Sequence, residues 1–287
     1  MKIILAVDGS EQSYEATRGL TGLAPAEELT VLSVISVPGL SYPTMGGGLP
    51  KDLSMQVEKA MRDEGENVLQ HVVSLLPPNP GPVKNVLQVG DPAEGIISFA
   101  GEQHADLIVM GARGQGQIQE QMFGSVSHRV MTHAPCSTLI VKDSLRKIET
   151  LLVPLANRED SEKMLKFFER RPFRNPVQAT ILHVVPFSQP IWPVGAMIPE
   201  EFRKEIISHG EQFTEDLAGE LRNLGHEAKG IAVMGAPSKS IADAVESSKP
   251  DLILMQTHSR SGLSRFLLGS VSHSVIHHTH CSILLVK

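Results

Sequence analysis

A chain of 287 residues with 41% hydrophobic and 20% charged side chains has an ordinary globular balance, with room for one large domain or two of usual size. Its net charge of −6 leaves no basic footprint, which argues against nucleic acid and anionic membrane as partners. Two cysteines, Cys136 and Cys281, stand at equivalent places in two copies, so pairing between them is not the default reading, and their scarcity fits a reducing compartment.

The opening MKIILAVDGS has an apolar run that stops at Asp8. It is too short for a signal-peptide core or a spanning helix, and it reads as a first strand, Lys2 to Val7. No other apolar run is long enough to span, so a cytoplasmic location is expected. Ser10 is placed to cap a helix from Glu11 to Leu23. Leu29 to Val37 is a β-branched strand, ended by Pro38 and Gly39. The segment Gly39–Pro50, with Gly46, Gly47 and Gly48, is Gly- and Pro-rich and is expected to be the most mobile part of this half. Lys51 to Leu76 carries apolar residues at helical spacing, among them Val57, Met61, Val68, Leu69 and Val72, and reads as a long helix with a core or interface stripe. A strand Lys84–Val89, a Gly90-Asp91-Pro92 turn and a helix Ala93–Gln103 follow.

The stretch Asp106–Ser127, DLIVMGARGQGQIQEQMFGSVS, carries the chemistry. A buried strand breaks into Gly111 and Gly114, nine residues later come Gly124 and Ser125, and a helix starts there. Strand, glycine loop and helix start form the arrangement that cradles phosphate. Glycine allows close approach of backbone N–H groups, and a helix N-terminus offers free donors and a positive dipole end. A strand Ser137–Val141 closes the half.

The second half repeats this order. Thr150–Leu155, Ser161–Arg170, Gln178–Val185, Pro199–Leu224, Lys229–Met234 and Ser238–Ser247 answer the first six elements. DLILM, GSVSH and CSILLVK answer DLIVM, GSVSH and CSTLIVK at a constant offset. The chain is a tandem duplication, with domains expected at 1–145 and 146–287. Apolar strands alternating with helices imply an α/β fold, each half a parallel sheet of about five strands with helices on both faces. Asp8, Val34 and Gly111 fall at strand carboxyl ends, where such sheets bind ligands.

Asp at the end of the first strand, M-G-x-x-G-(nine)-G-S-V-S and C-x-x-L-I-V together resemble the universal stress protein (UspA) family, over essentially the whole chain. The resemblance implies two tandem Rossmann-like (adenine nucleotide alpha hydrolase-like) domains and a nucleotide-binding regulator of the stress response. Carried across, Asp8 contacts the ribose side and the Val34 backbone meets adenine. Met110, Gly111, Gly114, Gly124, Ser125, Val126 and Ser127 form the phosphate and ribose loop, with the Ser125 and Ser127 hydroxyls as added donors. Arg113 touches phosphate or faces solvent. ATP or ADP is the expected ligand, with Mg²⁺ held mostly by phosphate and water. The halves are expected to pack as an intramolecular pseudo-dimer, and a homodimer stays open.

The second half departs from the pattern. Ala156 stands for Asp8, Gln256 for Gly111 and Ser259 for Gly114. Two side chains are expected to project into phosphate space, leaving a fold without a working nucleotide site, although Arg260 and Arg265 leave room for another anion. The histidines around Cys281, His273, His277, His278 and His280, read as a packed or solvated helix face; no metal is expected. Without a Walker lysine or a catalytic His–Asp pair, hydrolysis is expected to be weak at most, Glu120 being a poor base; a scaffold without nucleotide is the other reading. Trp192 reads as a lid or an interface anchor. Gly111→Val is expected to remove nucleotide and leave the fold intact.

Overall fold

The structure, a computed structural model, describes residues 1–37, 41–42, 47–48, 51–114, 123–186, 199–256 and 269–287. Two compact units divide the chain: Met1–Leu20 with Pro25–Ser144, and Thr21–Ala24 with Leu145–Lys287.

The first unit is built from β1 (Lys2–Ala6), α1 (Glu11–Gly19), β2 (Glu28–Ile35), β3 (Ser41–Tyr42), β4 (Gly47–Gly48), α2 (Lys51–Leu75), β5 (Val83–Val89), α3 (Pro92–Glu102), β6 (Leu107–Gly111), α4 (Ser125–His133) and β7 (Ser137–Val141). Its parallel sheet runs β7-β6-β1-β2-β5. The chain leaves β1 toward β2 on one side and β6 on the other, so the switch in strand order falls between β1 and β6. The central strands are apolar along their length because helices cover both faces: every residue of β6 and β7 is buried. β5, at the edge, has exposed residues at both ends.

The second unit repeats the plan with β8 (Thr150–Leu155), α5 (Arg158–Glu169), β9 (Gln178–Pro186), α6 (Glu200–Asn223), β10 (Glu227–Gly235), α7 (Pro237–Ser248), β11 (Leu252–Gln256), α8 (Ser270–His278) and β12 (Ser282–Val286). Its strands run β10-β9-β8-β11-β12, all parallel.

Most departures from the sequence reading are at element ends, and capping accounts for several. α3 begins at Pro92 because Asp91 Oδ1 accepts the Glu94 N–H at 2.9 Å. α5 begins at Arg158, three residues before the expected start, because Asn157 Oδ1 accepts the Asp160 N–H at 3.0 Å. α1 stops at Gly19 and tightens into a 3₁₀ turn, Leu20–Gly22, instead of running to Leu23. Within the Gly39–Pro50 segment, Ser41 pairs with Gly48 and Tyr42 with Gly47 as a short antiparallel ladder. The rest of that segment, including Gly46, lies outside the described residues, as do Glu120, Trp192, Ser259, Arg260 and Arg265. No described helix is long and apolar enough to cross a membrane.

A histidine in the second unit gives the fold a pH dependence. His226 Nδ1 accepts the Val177 N–H at 3.2 Å, and its ring meets Phe168 edge-on with centroids 5.3 Å apart. Burial holds its pKa below the ordinary 6.5. The unfolded chain therefore takes up a proton before the folded one does. The contribution is fully present above the unfolded value and is lost as pH falls from there through the lower folded value. Urea denaturation should show the second unit weakening below about pH 6.5, and His226→Gln should flatten that dependence. An unchanged slope in the variant would assign the effect to another group.

Candidate functional site

A cavity of about 790 Å³ opens at the carboxyl ends of β1, β2 and β6. All ten residues singled out from the sequence line it: Asp8, Val34, Met110, Gly111, Arg113, Gly114, Gly124, Ser125, Val126 and Ser127. The strand topology brings them together, because β1 lies between β2 and β6 and each chain exits on the same edge of the sheet.

At the exit of β1, Gly9 takes φ of 80°, a left-handed turn that favours glycine. The turn folds Ser10 back on Asp8. Ser10 N–H and Oγ–H donate to Asp8 Oδ1 at 3.0 and 2.6 Å, and Ser10 Oγ accepts the Ser13 N–H at 3.2 Å to cap α1. The Asp8 carboxylate is exposed at the cavity mouth, and its other oxygen lies against Gly114, where a Cβ would fall well inside van der Waals contact. Glycine at 114 thus leaves the Asp8 carboxylate free to stay where Ser10 holds it. On the far wall, Val34 is held by α3, since a Cβ on Gly95 would come within 2.9 Å of Val34 Cγ1.

The base of the loop is closed by backbone and side-chain hydrogen bonds. Ala112 N–H donates to Val141 O at 2.8 Å, Gly124 N–H donates to Ala112 O at 2.9 Å, and Ser127 Oγ–H points to Ala112 O at 2.6 Å and Gly124 O at 3.0 Å. Ser127 is buried, so its hydroxyl serves the loop base and is not the free phosphate donor expected of it. Ser125 is exposed. α4 starts at Gly124, with φ −80° and ψ 159°, and no side chain caps it. Its first N–H groups thus face the cavity with the positive end of the helix dipole behind them.

Gly111 also differs from its expected role. A Cβ there would lie 2.8 and 2.9 Å from the backbone carbon and oxygen of Gln12. The glycine makes room for the head of α1 and not for phosphate. Gln12 uses that proximity: its Oε1 accepts the Arg113 N–H at 2.6 Å and its Nε2 donates to Lys142 O at 3.1 Å. Above α4, Arg129 bridges to Asp91 at 3.1 Å and Glu94 at 3.2 Å. The Asp91 carboxyl is held below its ordinary value by the Glu94 N–H first, then by Arg129.

The sequence reading missed the wall supplied by α2. Val57, Ala60, Met61, Glu64, Gly65 and Val68 line the cavity opposite the strands. The apolar stripe of this helix was visible, but a stripe that faces a core and one that faces a ligand have the same period.

The second unit shows the same frame with different contents. Ile3 pairs with Leu107 and Leu151 with Leu252, so the sheet register puts Ala156 at the Asp8 position and Gln256 at the Gly111 position. Gln256 is buried, and its Nε2 has no hydrogen-bond partner among the described residues. α8 again starts at an uncapped glycine, Gly269. The greater change is on the wall built from β9 and α6. His183 follows β9 in the register of Ser33, and Phe213 stands three residues past Gly210 as Val68 stands three past Gly65. The two rings meet edge-on with centroids 5.2 Å apart, and His183 Nδ1 lies 2.9 Å from Leu155 O. This edge-on ring pair stands where the first unit has Ser33 and Val68 in its cavity wall. On α8, His273 and His277 lie one turn apart with ring centroids at 4.3 Å.

Comparison with known proteins agrees with this frame. The profile of the universal stress protein family matches residues 1–142 and again 147–287. A universal stress protein of Methanocaldococcus jannaschii is 30% identical over 142 residues, 49% of this chain and 81% of its own length. One of Mycobacterium bovis is 24% identical over 298 aligned residues, 99% of this chain and 96% of its own. The crystal structure of a universal stress protein from Archaeoglobus fulgidus shares the fold with a TM-score of 0.68 at 20% identity, covering 100% of this chain and 98% of that one. With the motif, the parallel five-stranded sheets and a family match over both halves in agreement, the chain belongs to the universal stress protein family.

Proposed function

We propose that the first domain, residues 1–145, binds an adenine nucleotide, ATP or ADP with Mg²⁺, and that occupancy makes the protein a regulator of the stress response. The second domain, residues 146–287, keeps the fold without a nucleotide. The observation that carries this reading is the uncapped start of α4 facing a cavity whose other walls are the ends of β1 and β2 and the apolar side of α2. The N–H groups of Ser125 and Val126 and the Gly114 peptide suit phosphate; Arg113 adds a positive charge beside them. Val34 and the α2 wall suit the flat apolar base, and Asp8 suits ribose hydroxyls as an acceptor. Mg²⁺ would neutralise the phosphates, coordinated by phosphate and water. Among the described lining residues there is no lysine or histidine, which favours holding a nucleotide over transferring its phosphate.

The test is the nucleotide content of the chain purified without added ligand. Denaturation should release about one adenine nucleotide per chain, since the second unit has Ala156 in place of Asp8, Gln256 in place of Gly111, and the His183–Phe213 ring pair in place of Ser33 and Val68. An ADP-rich release would bring slow hydrolysis forward. Two nucleotides per chain would overturn the assignment of the second domain. None, with no uptake on titration with Mg-ATP, would overturn the reading and leave a scaffold.

A further inference from the structure

We propose that Gln12 is the positioning residue of the phosphate-binding loop, and that it sets affinity for the phosphate chain without contributing to recognition of the nucleoside. The inference rests on the nucleotide reading above. Arg113 is the last residue before Gly114 in the stretch that runs from the end of β6 to the cavity. Its backbone is tied to the head of α1. Its N–H donates to Gln12 Oε1 at 2.6 Å, and its C=O lies 3.4 Å from Ser10 Oγ, whose proton goes chiefly to Asp8. The other end of the Gln12 amide donates to Lys142 O at 3.1 Å, just past β7. Lys142 in turn holds its ammonium 4.8 Å above the ring of Phe123, the residue before Gly124. One amide therefore links α1, the outgoing side of the loop and the residue that anchors its return.

The side-chain type matters. The amide offers an acceptor and a donor on one short planar head, and both are used here. Gly111 is its partner in the design of the site: without a Cβ, it lets the Gln12 backbone approach to a distance that any other residue would forbid. The link fixes the Ala112–Arg113 peptide. With that peptide fixed, Arg113 and Gly114, which both line the cavity, are held against the head of α1. Phosphate binding by backbone N–H groups needs such fixed donors, because a donor that must be ordered on binding gives up part of its interaction energy. In the second unit the residues near this position are used differently. Glu159 pairs with Lys163 on its own helix at 2.7 Å, and Asp160 Oδ2 accepts the Ala156 N–H at 2.9 Å.

The experiment compares the wild-type full-length chain, stripped of nucleotide, with Gln12→Met and Gln12→Ala. Methionine keeps the length and the packing against Gly111 and removes both hydrogen bonds. Calorimetric titration with Mg-ATP and, separately, with adenosine is the readout, alongside the melting temperature. ATP affinity is expected to fall about tenfold or more in both variants, the loss of one well-placed charge-assisted contact, while adenosine affinity stays within about twofold. Two outcomes overturn the proposal: equal ATP affinity in wild type and Gln12→Met, or a parallel loss of ATP and adenosine, which marks Gln12 as a packing residue. A wild-type chain that binds neither ligand overturns the nucleotide reading itself, and this proposal with it.

Discussion

Gly114→Ala is expected to lower nucleotide affinity by more than about tenfold while leaving the first unit folded. The added methyl group has nowhere to go but onto Asp8 Oδ2. That oxygen is the far end of an exposed side chain, so the carboxylate can swing away at little cost to the fold. In swinging away, it breaks the Ser10 bonds that hold it at the cavity mouth. The site then loses a placed carboxylate and gains a methyl group at the phosphate loop. The stability change should stay within about 0.5 kcal/mol, because the atom displaced belongs to an exposed side chain. Nucleotide content after purification and a urea titration measure the two effects separately. Asp8→Ala should reproduce the loss of nucleotide. If Gly114→Ala retains a full complement, the assignment of Asp8 to the ligand is wrong.

Gly111→Val is expected to behave in the opposite sense and to damage the fold first. From the sequence, this change reads as a clean removal of nucleotide, by filling space beside the phosphates. The structure corrects that. The Cβ direction at Gly111 points at Gln12, with its backbone carbon 2.8 Å away. Backbone atoms at the head of a helix cannot rotate aside, and valine adds two methyl groups to the collision. Overpacking of this kind costs about 3 kcal/mol or more where the neighbour cannot give. Chemical denaturation should show a lowered midpoint for the first unit even without nucleotide. Wild-type stability in this variant would mean that α1 can move away from β6, and the close approach would lose its significance. The second unit carries Gln256 at the same strand position, but the helix head that faces it is built differently. α5 begins two residues past Ala156, whereas α1 begins three past Asp8.

These two glycines show where sequence reasoning succeeds and where it stops. Both were marked as site residues, and both line the cavity. Their spacing identified the loop, because only a chain with glycine at those positions can make it. The spacing could not say what each glycine avoids. One avoids a carboxylate from β1's exit, and the other avoids the backbone of α1. Ser127 is a similar case. Its place in G-S-V-S was legible, yet its hydroxyl closes the loop on Ala112, fifteen residues earlier in the chain. Gln12 carried no signal in the sequence, since a glutamine in the first turn of a helix is ordinary, and its meaning depends on Arg113 and Lys142 reaching it.

The sequence by itself determined the duplication, the alternation of strands and helices, the family, and the loop and strand-end residues of the cavity. Each of these is written locally. Strands buried on both faces must be apolar throughout, a phosphate-type loop must carry glycine, and a repeat shows as self-similarity. Tertiary structure decided the division of labour among those residues. It turned Gly111 toward α1, tied the Ser127 hydroxyl to the loop base, made α2 a wall of the cavity, and set His183 against Phe213 in the second unit. Each of these outcomes depends on the meeting of residues distant in the chain. A side chain's role is fixed by the partner it meets, and local pattern does not record that partner.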